Sequence, residues 1–392
     1  MGNINPSVLQ WAREESALSL QEAAEKLGFK NSRVSTASQK LEAIESGKVE
    51  VSKSQLEKMS HIYRKSLLVL YSSQIPNKQV ITTDFRKKIS SVTQREEALL
   101  NALILDYSVR QSILVDSITE DEEYKPLAFI GSLNTFASSE VIRNLAIDVT
   151  GFDLGVYRES KSVDDAFNYA RKCIESSGTF VILAGNLGNY HTSLSTEVFR
   201  GFSLVDAFAP MVVINSNDAK GALVFTLFHE FVHLLLGQSS VSNGNDALEI
   251  EKLCDQVASE VLINETDFES FQVVRNGVFE EILAMVEKFA NRVKISYTAV
   301  AYNLLKQNLI DKQSYELMEA YYREKYQTAK REKRKSTDSK SGPSYQVVKN
   351  YQNGKFLTGI VSDLLGDGSM TYRDASKVLG TNQMTLHTLL IG

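Results

Sequence analysis

The sequence predicts an α+β chain that is mainly helical, with a small sheet in its middle. Three observations lead there. Apolar residues recur three and four apart over most of the length, two short β-branched runs stand between turn residues, and helical spacing returns from Ala219 onward. At 392 residues, with 43% hydrophobic and 23% charged residues and five prolines, the chain has the composition of an ordinary globular protein. That length suits roughly two or three domains.

The elements follow in order. Leu20, Ala23, Ala24 and Leu27 form one helical stripe, with Ser19 as its N-cap and Gly28 as its stop. Gln39 to Ser46, ended by Gly47, and Ser54 to Tyr63 continue a compact helical module over residues 1–75. A second domain is expected over 76–325. It opens with a long amphipathic helix from Thr93 to Ile118, whose stripe is Leu99, Leu103, Tyr107, Val109 and Ile113. Phe180 to Leu183 and Met211 to Asn215 read as strands, bounded by Gly178 and Gly185 and by Pro210 and Asn217. Residues 326–345 read as a basic linker, into which a helix frays along Lys325 to Lys340. Residues 346–392 read as a small helical tail, with helices at Phe356 to Leu364 and Tyr372 to Leu379.

A formal net charge of -5 leaves no broad basic field for polyanions, so any nucleic-acid contact must be local. Cys173 and Cys254 lie far apart, and Met1 to Pro6 is polar, without a signal-peptide pattern; a reduced, cytoplasmic protein is expected. The apolar stretch Gly221 to Gly237 is broken by His229, Glu230 and His233, and it is too short for a membrane span. No membrane partner is expected.

That same stretch carries the chemistry. His229-Glu230-Phe231-Val232-His233 is an HExxH pattern on a helix expected to start at an Asn217 or Asp218 cap and stop at Gly237. Residues four apart share a helix face, so both imidazoles can hold one Zn2+ while Glu230 stands beside it as general base. With only five histidines in the chain, chance is a poor account of the pattern. A third protein ligand is needed. Glu251 stands near the head of a second amphipathic helix, Ala247 to Val261, with Asp255 one turn on, placed to accept the free N–H of a ligand histidine. Glu249 is the competing carboxylate, and Cys254 reads as a small buried thiol. Such a site hydrolyses amides: Glu230 takes a proton from water and hands it to the leaving amine. His191, Tyr190 and Arg200 are candidate donors to the oxyanion. An exposed edge at Met211 to Asn215 would let an extended peptide pair with the sheet.

The segments Phe225 to Leu235, Phe199 to Phe202, Ala209 to Asn215, Glu251 to Ala258, Asp84 to Arg86 and Phe289 to Ser296 together resemble the ImmA/IrrE metallopeptidases. The resemblance implies a zincin-like domain and a regulatory protein substrate, such as a repressor or antitoxin encoded nearby. Trp11 to Arg13, Ser19 to Ala24 and Lys40 to Gly47 resemble the Xre helix-turn-helix, which implies DNA binding, with Lys30, Arg33 and Lys40 as contacts. The module departs from that pattern at Ile44, at Val51 and in the extra residues Lys30 to Ser38, and a major-groove reader needs its turn tight. A module that has lost its reading unit would serve dimerisation or partner docking instead. The reading from another class is a non-proteolytic transcriptional regulator or antitoxin that uses the zincin fold for binding.

Overall fold

The computed structural model describes residues 5–16, 18–32, 35–63, 70, 92–120, 124–238, 247–264, 266–268, 279–337 and 343–391. The segment Asp84 to Arg86 and the predicted contact Arg33 lie outside them.

The N-terminal module consists of α1 (Pro6–Glu15), α2 (Leu20–Leu27), α3 (Ala37–Glu45) and α4 (Lys53–Tyr63). Ser19 and Thr36 each close a reciprocal capping box, with Glu22 and Gln39 respectively, which fixes where α2 and α3 begin. Leu9, Ala12, Ala23, Ala24, Leu41, Ile44, Leu56 and Met59 bury together as the core of this module. A buried ion pair crosses it: Arg13 Nε donates to both Glu45 carboxylate oxygens at 2.9 and 3.0 Å, and Arg13 Nη1 donates to Leu18 O.

Next comes α5 (Gln94–Thr119), started by the Thr93–Glu96 capping box. Its inward stripe is Leu100, Leu103, Ile104, Tyr107, Leu114 and Ile118. Leu99 and Ile113 lie at the margin, and Val109, expected inside, is exposed because it falls on the opposite face. By length and composition α5 could cross a membrane. Here its stripe packs on protein, and the ion pair of Arg110 with Asp106 sits midway along it.

Three short helices, α6 (Ser139–Thr150), α7 (Leu154–Glu159) and α8 (Val163–Ser176), lead to the sheet, β1 (Phe180–Ala184), β2 (Gly201–Leu204) and β3 (Met211–Asn215). The order is β1-β3-β2, with β1 parallel to β3 and β2 antiparallel to it. Met211 to Asn215 is therefore the central strand, paired on both sides, and offers no edge for a peptide. The edge strands are β1 and β2, and the glycine start and four-residue length of β2 hid it among loop residues.

Strand alternation gives the sheet two apolar faces, since successive side chains point to opposite sides. Val181, Leu183, Val212 and Ile214 join the core formed with α6, α8 and α9 (Lys220–Leu235). Phe180, Ile182, Phe202, Leu204, Met211 and Val213 join a second core with α5 and with the C-terminal helices. Those are α14 (Tyr345–Gly366), α15 (Tyr372–Val378) and α16 (Gln383–Ile391), reached through α10 (Ala247–Leu262), α11 (Phe279–Val293), α12 (Tyr297–Lys306) and α13 (Lys312–Thr337). The basic stretch is thus helical through Thr337. At its start Tyr326 Oη donates to Asn217 O.

The last fifty residues cover the sheet. Phe356 stacks on Phe180, and Leu357, Val361 and Leu364 are buried on the second face. α14 begins about three turns before its expected start because it is two helices merged across Gly354, whose φ of 80° only glycine adopts without strain. The buried Arg171 occupies the space a side chain there would need. Its guanidinium donates to Tyr351 O at 2.6 Å and Gln352 O at 3.2 Å while pairing with Glu175, so the kink is tied to α8.

Candidate metal centre

α9 is apolar on nearly every side, and a helix of that kind lies buried. Its N-cap is Ala219, with no side-chain cap, rather than Asn217 or Asp218; Asp218 Oδ1 accepts from the Ala219 N–H instead. At the other end Gly131 N and Leu133 N donate to Leu234 O and Leu235 O, which satisfies carbonyls the helix leaves open. The helix is held at both ends, and so is the direction in which its histidines point.

His229 and His233, one turn apart, bring their Nε2 atoms to 3.3 Å. Glu251 on α10 completes a triangle, with Oε2 at 3.1 Å from His229 Nε2 and Oε1 at 3.2 Å from His233 Nε2. Donor atoms of these three residues all lie within 4.8 Å of one another. Ligands about 2.0–2.1 Å from a tetrahedral zinc stand roughly 3.3 Å apart, so the spacing and the two-nitrogen, one-carboxylate donor set fit a divalent cation of that kind. Glu249 is exposed on the same helix and stays out of the triangle.

Asp255 Oδ1 accepts from His229 Nδ1 at 2.9 Å, which directs Nε2 toward the triangle. Burial opposes charge on His229, but the hydrogen bonds to Asp255 and Glu251 outweigh it and push its pKa up to about 10. Burial likewise works to raise Glu251, and the two histidines overcome it, holding the carboxylate below its usual range. Without metal, the triangle is thus closed by a proton. Cys254 is a buried free thiol, held well above its ordinary pKa by burial and by the carboxylates of Glu251 and Glu230.

Glu230 is 3% exposed and points under the first residue of β2. The β2 edge is the feature that reading the sequence missed, although a glycine beside Phe199 and Phe202 was its signal. The expected oxyanion donors are less closely gathered. His191 is exposed on the short 3-10 turn Tyr190–Thr192, the side chain of Tyr190 lies outside the description, and Arg200 is exposed just before β2, its carbonyl accepting from Asn215 N. In the N-terminal module Lys30 is exposed, and Lys40 Nζ is engaged at 2.7 Å by Lys30 O.

Neither the curated proteins nor the solved structures gave a match to the chain. The family comparison did: residues 181–305, from β1 through α12 and including the whole triangle, match the IrrE N-terminal-like domain, Peptidase_M78, which supports the ImmA/IrrE metallopeptidase family for this stretch of the chain.

Proposed function

We propose that the chain is a zinc-dependent endopeptidase that cuts a regulatory protein, with its N-terminal module placing it on DNA. The observation that carries the reading is the convergence of His229 Nε2, His233 Nε2 and Glu251 at tetrahedral spacing, beside a buried Glu230. Bound there, zinc supplies Lewis acidity to a scissile carbonyl.

The chain's own residues do the rest. Asp255 fixes the tautomer and orientation of His229. Glu230 accepts a proton from water at its carboxylate and delivers it to the leaving amine, in a surrounding that the apolar α9 walls keep dry. Arg200, exposed just before β2, is the candidate donor to the oxyanion. The substrate, a repressor or antitoxin-like protein, follows from the family resemblance and not from the site.

The test is zinc content of the purified protein, followed by incubation with the proteins encoded beside it, with Glu230→Gln as control. Cleavage by the wild type alone supports the reading. One observation favours a non-proteolytic regulator instead: all four residues of β2 are buried, so its edge is not laid open to a peptide. Under that reading the Glu230→Gln protein keeps its zinc and its biological effect.

A further inference from the structure

Gly201 opens β2 where that strand crosses the metal helix. It pairs with Ile214 in an ordinary antiparallel ladder, and its φ is not among the positive values of the chain. The backbone therefore gives no reason for glycine, a residue that weakens strands. The space does. A methyl group added at residue 201 would stand 2.7 Å from Thr226 Cγ2, 3.0 Å from Glu230 Cγ and 3.1 Å from Glu230 Oε1. Thr226 and Glu230 are one turn apart on α9, and both are buried.

We infer that Gly201 is a positioning residue: its missing side chain is the room in which the Glu230 carboxylate lies, beside the His229, His233 and Glu251 triangle. The inference rests on the proton-transfer role proposed above for Glu230.

The strand and the helix cannot easily part to admit a side chain. β2 is laddered to β3, and Gln111 Nε2 donates to Leu204 O at its far end. The helix is held at its C-terminal end by the turn at Gly131 and Leu133. Thr226 is β-branched, and its Oγ1 donates to Ala222 O at 3.3 Å, which holds its χ1. Glu230, with more freely turning torsions, is the group that yields. The three nearest atoms belong to Thr226 and Glu230 and none to the ligand triangle, so metal binding should survive.

The experiment compares zinc-loaded, full-length wild type with Gly201→Ala, Gly201→Ala/Thr226→Ser and Glu230→Gln, by crystal structure, zinc content and turnover of fluorescein-labelled casein. Removing Thr226 Cγ2 relieves the tightest contact and leaves Glu230 as the nearest neighbour, which keeps the test open if the single variant folds poorly. The expected result is about one zinc per chain in both variants. The Glu230 carboxylate should move by more than about 0.5 Å, the tolerance of a working site. kcat should fall about a hundredfold in the single variant, with KM nearly unchanged. A carboxylate that keeps its place in either folded variant, with Thr226 or the strand displaced instead, overturns the inference. Casein cut by Glu230→Gln as fast as by the wild type overturns the peptidase reading separately, and the carboxylate position still judges Gly201.

Discussion

His229 donates through Nδ1 to Asp255 Oδ1 at 2.9 Å, and this one bond sets which nitrogen of the ring faces the triangle. Replacing the acceptor by Asp255→Asn should leave the fold intact and weaken zinc binding about 10–100-fold. Competition against a chelator of known affinity measures it. Unchanged affinity would mean that the bond does not orient the ring.

Glu251 closes the triangle from a separate helix, so its loss cannot be made good by a neighbour on α9. Glu251→Ala should purify with little zinc and Glu249→Ala with the wild-type amount, because Glu249 is exposed away from the histidines. Elemental analysis of the two proteins decides between the carboxylates.

The metal-free protein should lose stability as the solution becomes alkaline. His229 titrates near 10 in the folded state, raised by Asp255 and Glu251 against the effect of burial. An unfolded imidazole titrates at about 6.5, so the folded state holds the extra proton between these values. The stabilisation is complete below about pH 6.5 and is lost as pH rises through about 10. Tm measured after zinc removal should therefore fall from about pH 7 to about pH 9.5, and fall less steeply in Asp255→Asn. A Tm that is flat or rises over that window contradicts the proton-closed triangle.

How much of this was legible beforehand depended on range. Ser19, Thr93 and the HExxH spacing declare themselves within one helical turn, and so did the helices they begin. The place of Glu251 in the triangle was legible because α10 repeats the same period, which puts Glu251 and Asp255 on one face. The strand order was not legible, since β2 is four residues long and its pairing with β3 is decided by contacts remote in sequence. The C-terminal helices read as a tail for the same reason: nothing local in Phe356 says that its partner is Phe180. Ala219 replaced the expected cap because the turn before α9 is fixed by Asn215 and Asn217, whose amides bond the 194–199 loop and Gly185.

Glu45→Ala would take from Arg13 its buried carboxylate and leave the exposed Glu14 at 3.4 Å, a change that costs about 3–5 kcal/mol when a buried pair loses one partner. Trp11 is the chain's single tryptophan and lies in α1, so its fluorescence reports this module alone. The Trp11 transition in urea should move to lower concentration while zinc content stays constant. An unmoved transition would show that the pair contributes nothing net.

Ending the chain at Pro343 should expose Phe180, Ile182, Met211 and Val213 on the second sheet face. The shortened protein should bind an apolar dye and aggregate on warming. A truncated protein that stays monomeric with the wild-type Tm would mean that α14 to α16 are dispensable.

The double cover on the sheet bears on how such chains can be rearranged. The stretch that matches Peptidase_M78 carries every residue of the triangle, yet α5 lies before it and α14 to α16 after it. Transplanted alone into another protein, residues 181–305 would bring the histidines and leave half the sheet bare. The flanks must travel with the site, or a new host must supply an apolar lid of its own.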